Sequence, residues 1–187
     1  MATKKRNYGG LTGGTGDVNP QTYTVFTGVS TSAVTQFPVP VPKFSSGIDK
    51  AIVMELLGVQ WDMVNPPTGG TGAADFFNVN VNLTTQSVHA TSAGGLLQDP
   101  KSLSTFRRQQ QNLAVPTNAV QYSLSEYDDL TDQAGHGLLI ATDNIYLDVV
   151  PSTGGNYVLG GNIVCRMIYR MKEVKLVEYI GIVQSQQ

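Results

Sequence analysis

Apolar and polar residues alternate along most of this chain in short runs separated by Gly, Pro and Asn, a pattern of strands rather than helices. The cleanest stretch is Phe77-Asn78-Val79-Asn80-Val81-Asn82-Leu83, which puts four apolar residues on one face and three asparagines on the other. That period of two predicts a strand with one face in a core and the other toward solvent or an interface. Strand signals begin at residues 22–27 and recur at 34–41, where Phe37-Pro38-Val39-Pro40-Val41-Pro42 interleaves apolar residues with proline. Proline cannot donate to a ladder, so this segment is an edge strand or an extended connector. Residues 51–63 form a longer apolar run with Trp61 near its end and predict a long strand entering a Pro- and Gly-rich loop.

Further strands are expected at 113–124, 138–142, 145–150, 162–171 and 174–183, and a short helix at 100–111 with Ser102 as its cap. The chain from Asn144 to Gln187 thus reads as strand, turn and strands, ending inside its sheet with no appended domain. Short strands at regular spacing, without alternating helices, predict an all-β sandwich or jelly roll. Residues 1–20 contain five glycines and close on Asn19-Pro20, a composition that cannot offset its own ordering entropy. They predict a flexible arm, with residues 21–187 as one domain.

Composition supports that class. The chain has 187 residues, enough for one sizeable core, and it is poor in Glu (four) against ten Asp, with twenty Gly and nine Pro. A single Cys165 excludes an internal disulfide, and no apolar run reaches the roughly 18–20 residues of a membrane span. The basic head Lys4-Lys5-Arg6 runs into Asn7-Tyr8-Gly9-Gly10 rather than an apolar segment, so no secretion signal is expected and folding is placed in a reducing cell interior. Asn82-Leu83-Thr84 matches a glycosylation acceptor but reads as a strand end.

Residue types for catalysis are scarce. Two histidines, His89 and His136, with one cysteine cannot supply a four-ligand zinc site, and no nucleophile elbow occurs, so an enzyme is not expected. Thr12-Gly13-Gly14-Thr15-Gly16 recurs as Thr68-Gly69-Gly70-Thr71-Gly72, but neither copy has the Lys-Ser/Thr or the strand-helix setting of a phosphate loop. Glu126, Asp128, Asp129 and Asp132 form the densest acidic cluster, either a solvated loop or oxygen ligands for Ca²⁺ between subunits.

The net charge is −2, yet three of twelve cations sit at Lys4, Lys5 and Arg6. Alone this is a solvated tail or a weak, salt-sensitive nucleic-acid contact; repeated in a closed shell it becomes multivalent. Arg107 and Arg108 are a second candidate, for the same polyanion or for a subunit contact. Arg166 and Arg170 share one strand face, placed to pair with an acid such as Glu178 or to meet a partner subunit.

Two stretches carry a resemblance. The opening from Lys4 through Gln21 and the closing from Tyr169-Arg170 through Glu178-Tyr179-Ile180-Gly181-Ile182-Val183-Gln184-Ser185-Gln186 resemble capsid proteins of small circular Rep-encoding single-stranded DNA (CRESS-type) viruses. The resemblance implies a single eight-stranded jelly roll of two packed four-stranded antiparallel sheets, self-assembly into an icosahedral shell, and enclosure of a circular single-stranded DNA genome. It implies a virion component assembled inside a host cell, with itself, the genome and a host receptor as partners, no membrane, and a T=1 shell of about sixty copies as the simplest closed form. Many relatives carry a long Arg-rich arm; three cations here shift the expected weight of assembly onto subunit contacts. The low charge, 14% of residues against about 25% typically, suits a surface that becomes interface. The alternative is a carbohydrate-binding or adhesive β-sandwich with Trp61 and tyrosines as a stacking platform, although the apolar setting of Trp61 favours the core. A cupin-like enzyme lacks the histidines it would need.

Overall fold

The computed structural model describes residues 20–29, 34–42, 44–45, 49–66, 75–87, 101–111, 126–154 and 160–186. Nearly all of the arm, both Thr-Gly-Gly-Thr-Gly copies, His89 and the strand expected at 113–124 lie outside them. Among the described residues ten strands and one helix follow in chain order: β1 (Gln21–Gly28), β2 (Thr35–Pro40), β3 (Phe44–Ser45), β4 (Lys50–Val64), β5 (Phe76–Thr84), β6 (Ser102–Gln111), β7 (Glu126–Asp129), β8 (Leu138–Ile140), β9 (Asn144–Gly154), β10 (Asn162–Lys175) and α1 (Leu176–Gln186).

The strands form two antiparallel sheets. One has the order β1-β10-β4, with β3, β8 and β7 paired in series along the free edge of β4; the other has the order β2-β9-β5-β6. The first strand pairs with the last and the second with the one before last, the nested arrangement of a jelly roll. Each sheet turns one apolar face inward, and the faces meet in one core that includes Trp61, Phe77, Phe106, Leu147 and Cys165. Burial pushes the Cys165 thiol up to about 12.

The long apolar run of β4 keeps its core contacts through a change of phase. Met54 and Leu56 face inward, and then Val59, Trp61 and Met63 do; a bulge in the β4–β10 ladder absorbs the extra residue. Among the described residues the proline-rich β2 pairs with β9 alone and is an edge strand, one of the two readings open from its sequence. On the asparagine face of β5, for which the sequence left solvent or an interface open, Asn80 and Asn82 are buried within the subunit.

Two expectations are overturned. Residues 100–111 do not form a helix; β6 pairs with β5 over nine positions, and Phe106 stacks on Trp61 with ring centroids 6.0 Å apart, so tertiary pairing overrides the local cap signal. Residues 174–183 are not a strand beyond Lys175. Tyr179, Ile182 and Val183 fall at helical spacing and cover a second apolar cluster, Val53, Ala141 and Val174, on the outer face of the first sheet. The described chain therefore leaves its sheet in an amphipathic helix.

Candidate functional site

Lys4, Lys5 and Arg6 lie outside the described residues. Arg107 and Arg108 do not form one basic patch, because adjacent residues of a strand point to opposite faces. Arg107 stands opposite Asn80 on the outer face, exposed, with its Nη2 donating to Gln109 Oε1 at 3.2 Å. Arg108 stands opposite Val79 on the inner face and is 4% exposed, so a nucleic acid on the surface cannot reach it in this state.

The acidic cluster is likewise distributed rather than convergent. Asp128 accepts from Ser104 Oγ, Asp129 from Thr131 N and Oγ1 at 3.0 and 2.7 Å, and Asp132 Oδ1 from Ala134 and His136 N–H at 2.9 and 2.8 Å. These bonds hold the Asp129 and Asp132 carboxyls below the usual range, led by Thr131 Oγ1–H and by His136 N–H respectively. Among the described residues no three acidic, histidine or cysteine side chains gather as a metal site. The carboxylates shape the loop between β7 and β8.

That loop covers an ionic centre that the sequence pattern did not single out. Glu55 sits inside the apolar run of β4 with its side chain fully buried, and receives Arg170 Nε, Lys172 Nζ at 3.5 Å and the Gly137 N–H at 3.1 Å, with His136 Nδ1 3.8 Å away. Burial alone would push its carboxyl up. The Arg170 hydrogen bond, the Gly137 N–H and the charges of Lys172 and Arg170 together outweigh that and hold it below its ordinary value. Arg170 also donates to Gly135 O at 3.2 Å, which ties the loop to the sheet. Arg170 thus pairs with Glu55, not Glu178, and Arg166 reaches Gln60 Oε1 at 3.3 Å. A lone acid in an apolar strand was the available signal.

A cleft of about 500 Å³ opens between α1, residues 85–87 and the β8–β9 turn, with Tyr146, Tyr179, Asp143 and Asn144 in its lining. The helix is fixed there by Gln186, whose side-chain amide accepts from Ala141 N at 3.0 Å and donates to Leu139 O at 2.5 Å, in the manner of an added strand. Lys101 Nζ donates to Ser185 O at 2.6 Å. Trp61 is no part of a surface platform: it is fully buried and donates to Ser104 Oγ at 2.7 Å. Large apolar residues that do reach the surface include Phe26 of the edge strand β1 at 69% and Val177 of α1 at 83%.

The described residues form a jelly roll of two packed antiparallel sheets. No protein-family model matches the sequence, and no curated protein does. Among solved structures the chain is similar to the Human Polyomavirus 7 VP1 pentamer (12% identity, TM-score 0.51, 82% of this chain and 96% of that one). It is equally similar to the Human Polyomavirus 6 VP1 pentamer (12%, 0.51, 82% and 95%). The unassembled pentamer of Merkel Cell Polyomavirus VP1 gives 11% identity and a TM-score of 0.51 over 86% of this chain and 98% of that one. At such identities the likeness is one of fold alone, and it spans almost the whole of each VP1 chain.

Proposed function

We propose that this chain is a viral capsid subunit that associates with copies of itself into a closed shell. The observation that carries the reading is the nested pairing of β1 with β10 and β2 with β9 in a chain that matches VP1 subunits over nearly their full length. The VP1 structures it resembles are pentamers, which supports self-association here. The low charge and the exposed Phe26 on an edge strand are further support, since a closed shell covers edges and apolar side chains with neighbours. The finer reading is an icosahedral T=1 particle of the CRESS type around circular single-stranded DNA, held by Lys4, Lys5 and Arg6 with Arg107. It is supported by the resemblance at the two chain ends.

The test is to express the chain alone and follow it by size exclusion, negative-stain electron microscopy and absorbance at 260 and 280 nm. Uniform spheres with nucleic-acid absorbance are expected, and a monodisperse 20.0 kDa species in every buffer would overturn the reading. The cleft beside Tyr146 and Tyr179 supports a second role, binding of a saccharide by stacking and amide contacts. A glycan array without a hit for either subunit or particle removes it.

A further inference from the structure

The helix α1 has an outer face with a character of its own. Tyr179, Ile182, Val183 and Gln186 turn toward the subunit, while Val177, Gly181 and Gln184, four and three residues apart, form the crest of the opposite face with Ile180 beside them. Leu176, Val177 and Ile180 are 44%, 83% and 47% exposed, and none of the three belongs to either apolar cluster. The helix is held at both ends, by Leu176 N–H on Asp49 O at 3.1 Å and by Gln186 at Leu139 and Ala141, so this face is presented in a fixed place.

Gly181 has no packing reason within the described subunit. Glycine inside a helix is unfavourable relative to alanine, and close approach of another group is what commonly justifies it. Here φ is not positive, and a Cβ would meet nothing within 4 Å beyond its own helical turn. The room over Gly181 therefore opens outward, next to exposed Val177. Charge flanks the same face: Lys175, just before the helix, and Glu178, in its first turn, are exposed, and neither makes an ion pair with a described residue.

We propose that the crest of α1 packs on the same crest of a second copy of this chain across a two-fold axis, with Val177 of each copy seated between Val177 and Gly181 of the other; this rests on the capsid reading. A two-fold contact is self-complementary. Run antiparallel, it brings each copy's Lys175 toward the other's Glu178 and opposes the helix dipoles, whereas a parallel stack sets like charge beside like. One cation balanced by one anion, with no basic residue in the last turn, makes the face a poor one for nucleic acid. The 11-residue helix is roughly 16 Å long, and a contact of that length buries less than the ~1,000 Å² of a stable dimer. It therefore works in numbers, as a weak contact that a closed shell repeats.

The experiment uses the full chain. Gly181→Ala is expected to raise the Tm of the unassembled subunit by about 2–4 °C; a fall would place the reason for the glycine inside the subunit and overturn the contact. Lys175→Glu and Glu178→Lys, each alone, are expected to leave that Tm within about 2 °C of wild type and to lower particle yield about tenfold, because the loss recurs at every contact. The double exchange is expected to restore the yield. Single exchanges at wild-type yield, or a double exchange no better than the singles, overturn the antiparallel pairing and leave the capsid reading intact. Oxidised Val177→Cys particles are expected to hold a disulfide-linked pair of the 20.0 kDa chain, since position 177 stands near the axis and the native Cys165 is buried. Particles without the linked pair overturn the contact. Binding of the wild-type subunit to phosphatidylcholine vesicles that Val177→Asp abolishes, with assembly unchanged, assigns the face to a membrane and overturns the second copy. Wild type that never forms particles overturns the capsid reading; a linked Val177→Cys pair in that case keeps the helix contact, and its absence overturns both.

Discussion

The indole N–H of Trp61 donates to Ser104 Oγ at 2.7 Å, joining β4 of one sheet to the edge strand β6 of the other. Ser104 passes the bond on to Asp128 of β7, so one hydroxyl links three strands at the flank where the sheet edges meet.

Ser104→Ala should therefore leave both the indole N–H and an Asp128 oxygen unmatched, with a loss of about 1–3 kcal/mol for stranding buried polar groups. Trp61 is the chain's single tryptophan, so its fluorescence in a urea titration reports the transition directly. A midpoint equal to wild type would mean that water replaces the hydroxyl and the link carries no stability.

Glu55 makes stability depend on acid in a defined direction. Its folded pKa lies below its ordinary value of 4.5, so the unfolded chain takes up a proton first as pH falls. The stabilisation is fully present above about pH 4.5 and is lost as pH drops through the folded value. Glu55→Gln should lower stability at pH 7 by roughly 3 kcal/mol, leaving Arg170 and Lys172 without their shared anion. It should also flatten the fall below pH 4.5 in Tm-against-pH curves. A variant curve parallel to wild type would show that other carboxylates set the acid limb.

Two glycines near this centre separate backbone from side-chain crowding. A Cβ at Gly137 would run into the Leu56 carbonyl, which the β4 ladder holds in place, whereas the nearest atoms to a Cβ at Gly58 belong to the hydroxyl and ring of Tyr127, itself 54% exposed. Gly137→Ala is expected to cost about 2 kcal/mol or more and Gly58→Ala under about 1 kcal/mol. Thermal unfolding of the pair checks the order, and a larger loss at Gly58 would mean that Tyr127 is locked in place.

Much of the architecture was legible because alternation was strict where one face is core, as in Phe77-Asn78-Val79-Asn80-Val81. The phase change after Leu56 did not obscure β4, since the run is apolar throughout. Failure came where local and tertiary signals disagreed. Pro100, Ser102 and the glutamines after Arg108 read as a capped helix, but the partner that decides the segment is β5, which is remote in sequence. The candidate site was less legible for the same reason. Neighbouring Arg107 and Arg108 look like one patch until register separates their faces, and the lone acid Glu55 in an apolar strand does not say that Arg170, Lys172 and Gly137 will meet it. The density of acids from Glu126 to Asp132 left a solvated loop or calcium open, and a cross-strand bond from Ser104 to Asp128 together with local loop bonds to Asp129 and Asp132 engages three of those four carboxylates.

The end of the chain shows what a period-of-two reading can hide. Val177, Ile180, Ile182 and Val183 are β-branched and favour a strand, yet Tyr179, Ile182, Val183 and Gln186 lie three and four apart and face one way on a helix. What selects the helix is the apolar site it covers, formed by Val53, Ala141 and Val174. Val183→Asp places a charge against that cluster and should cost about 1–3 kcal/mol with loss of helical circular dichroism, while Val177→Asp, on a side chain 83% exposed, should stay within about 0.5 kcal/mol of wild type. If Val177→Asp instead leaves the subunit stable but abolishes particles, the outer face of α1 is itself a subunit contact. Equal, small effects on both fold and assembly would show that the helix is dispensable to each.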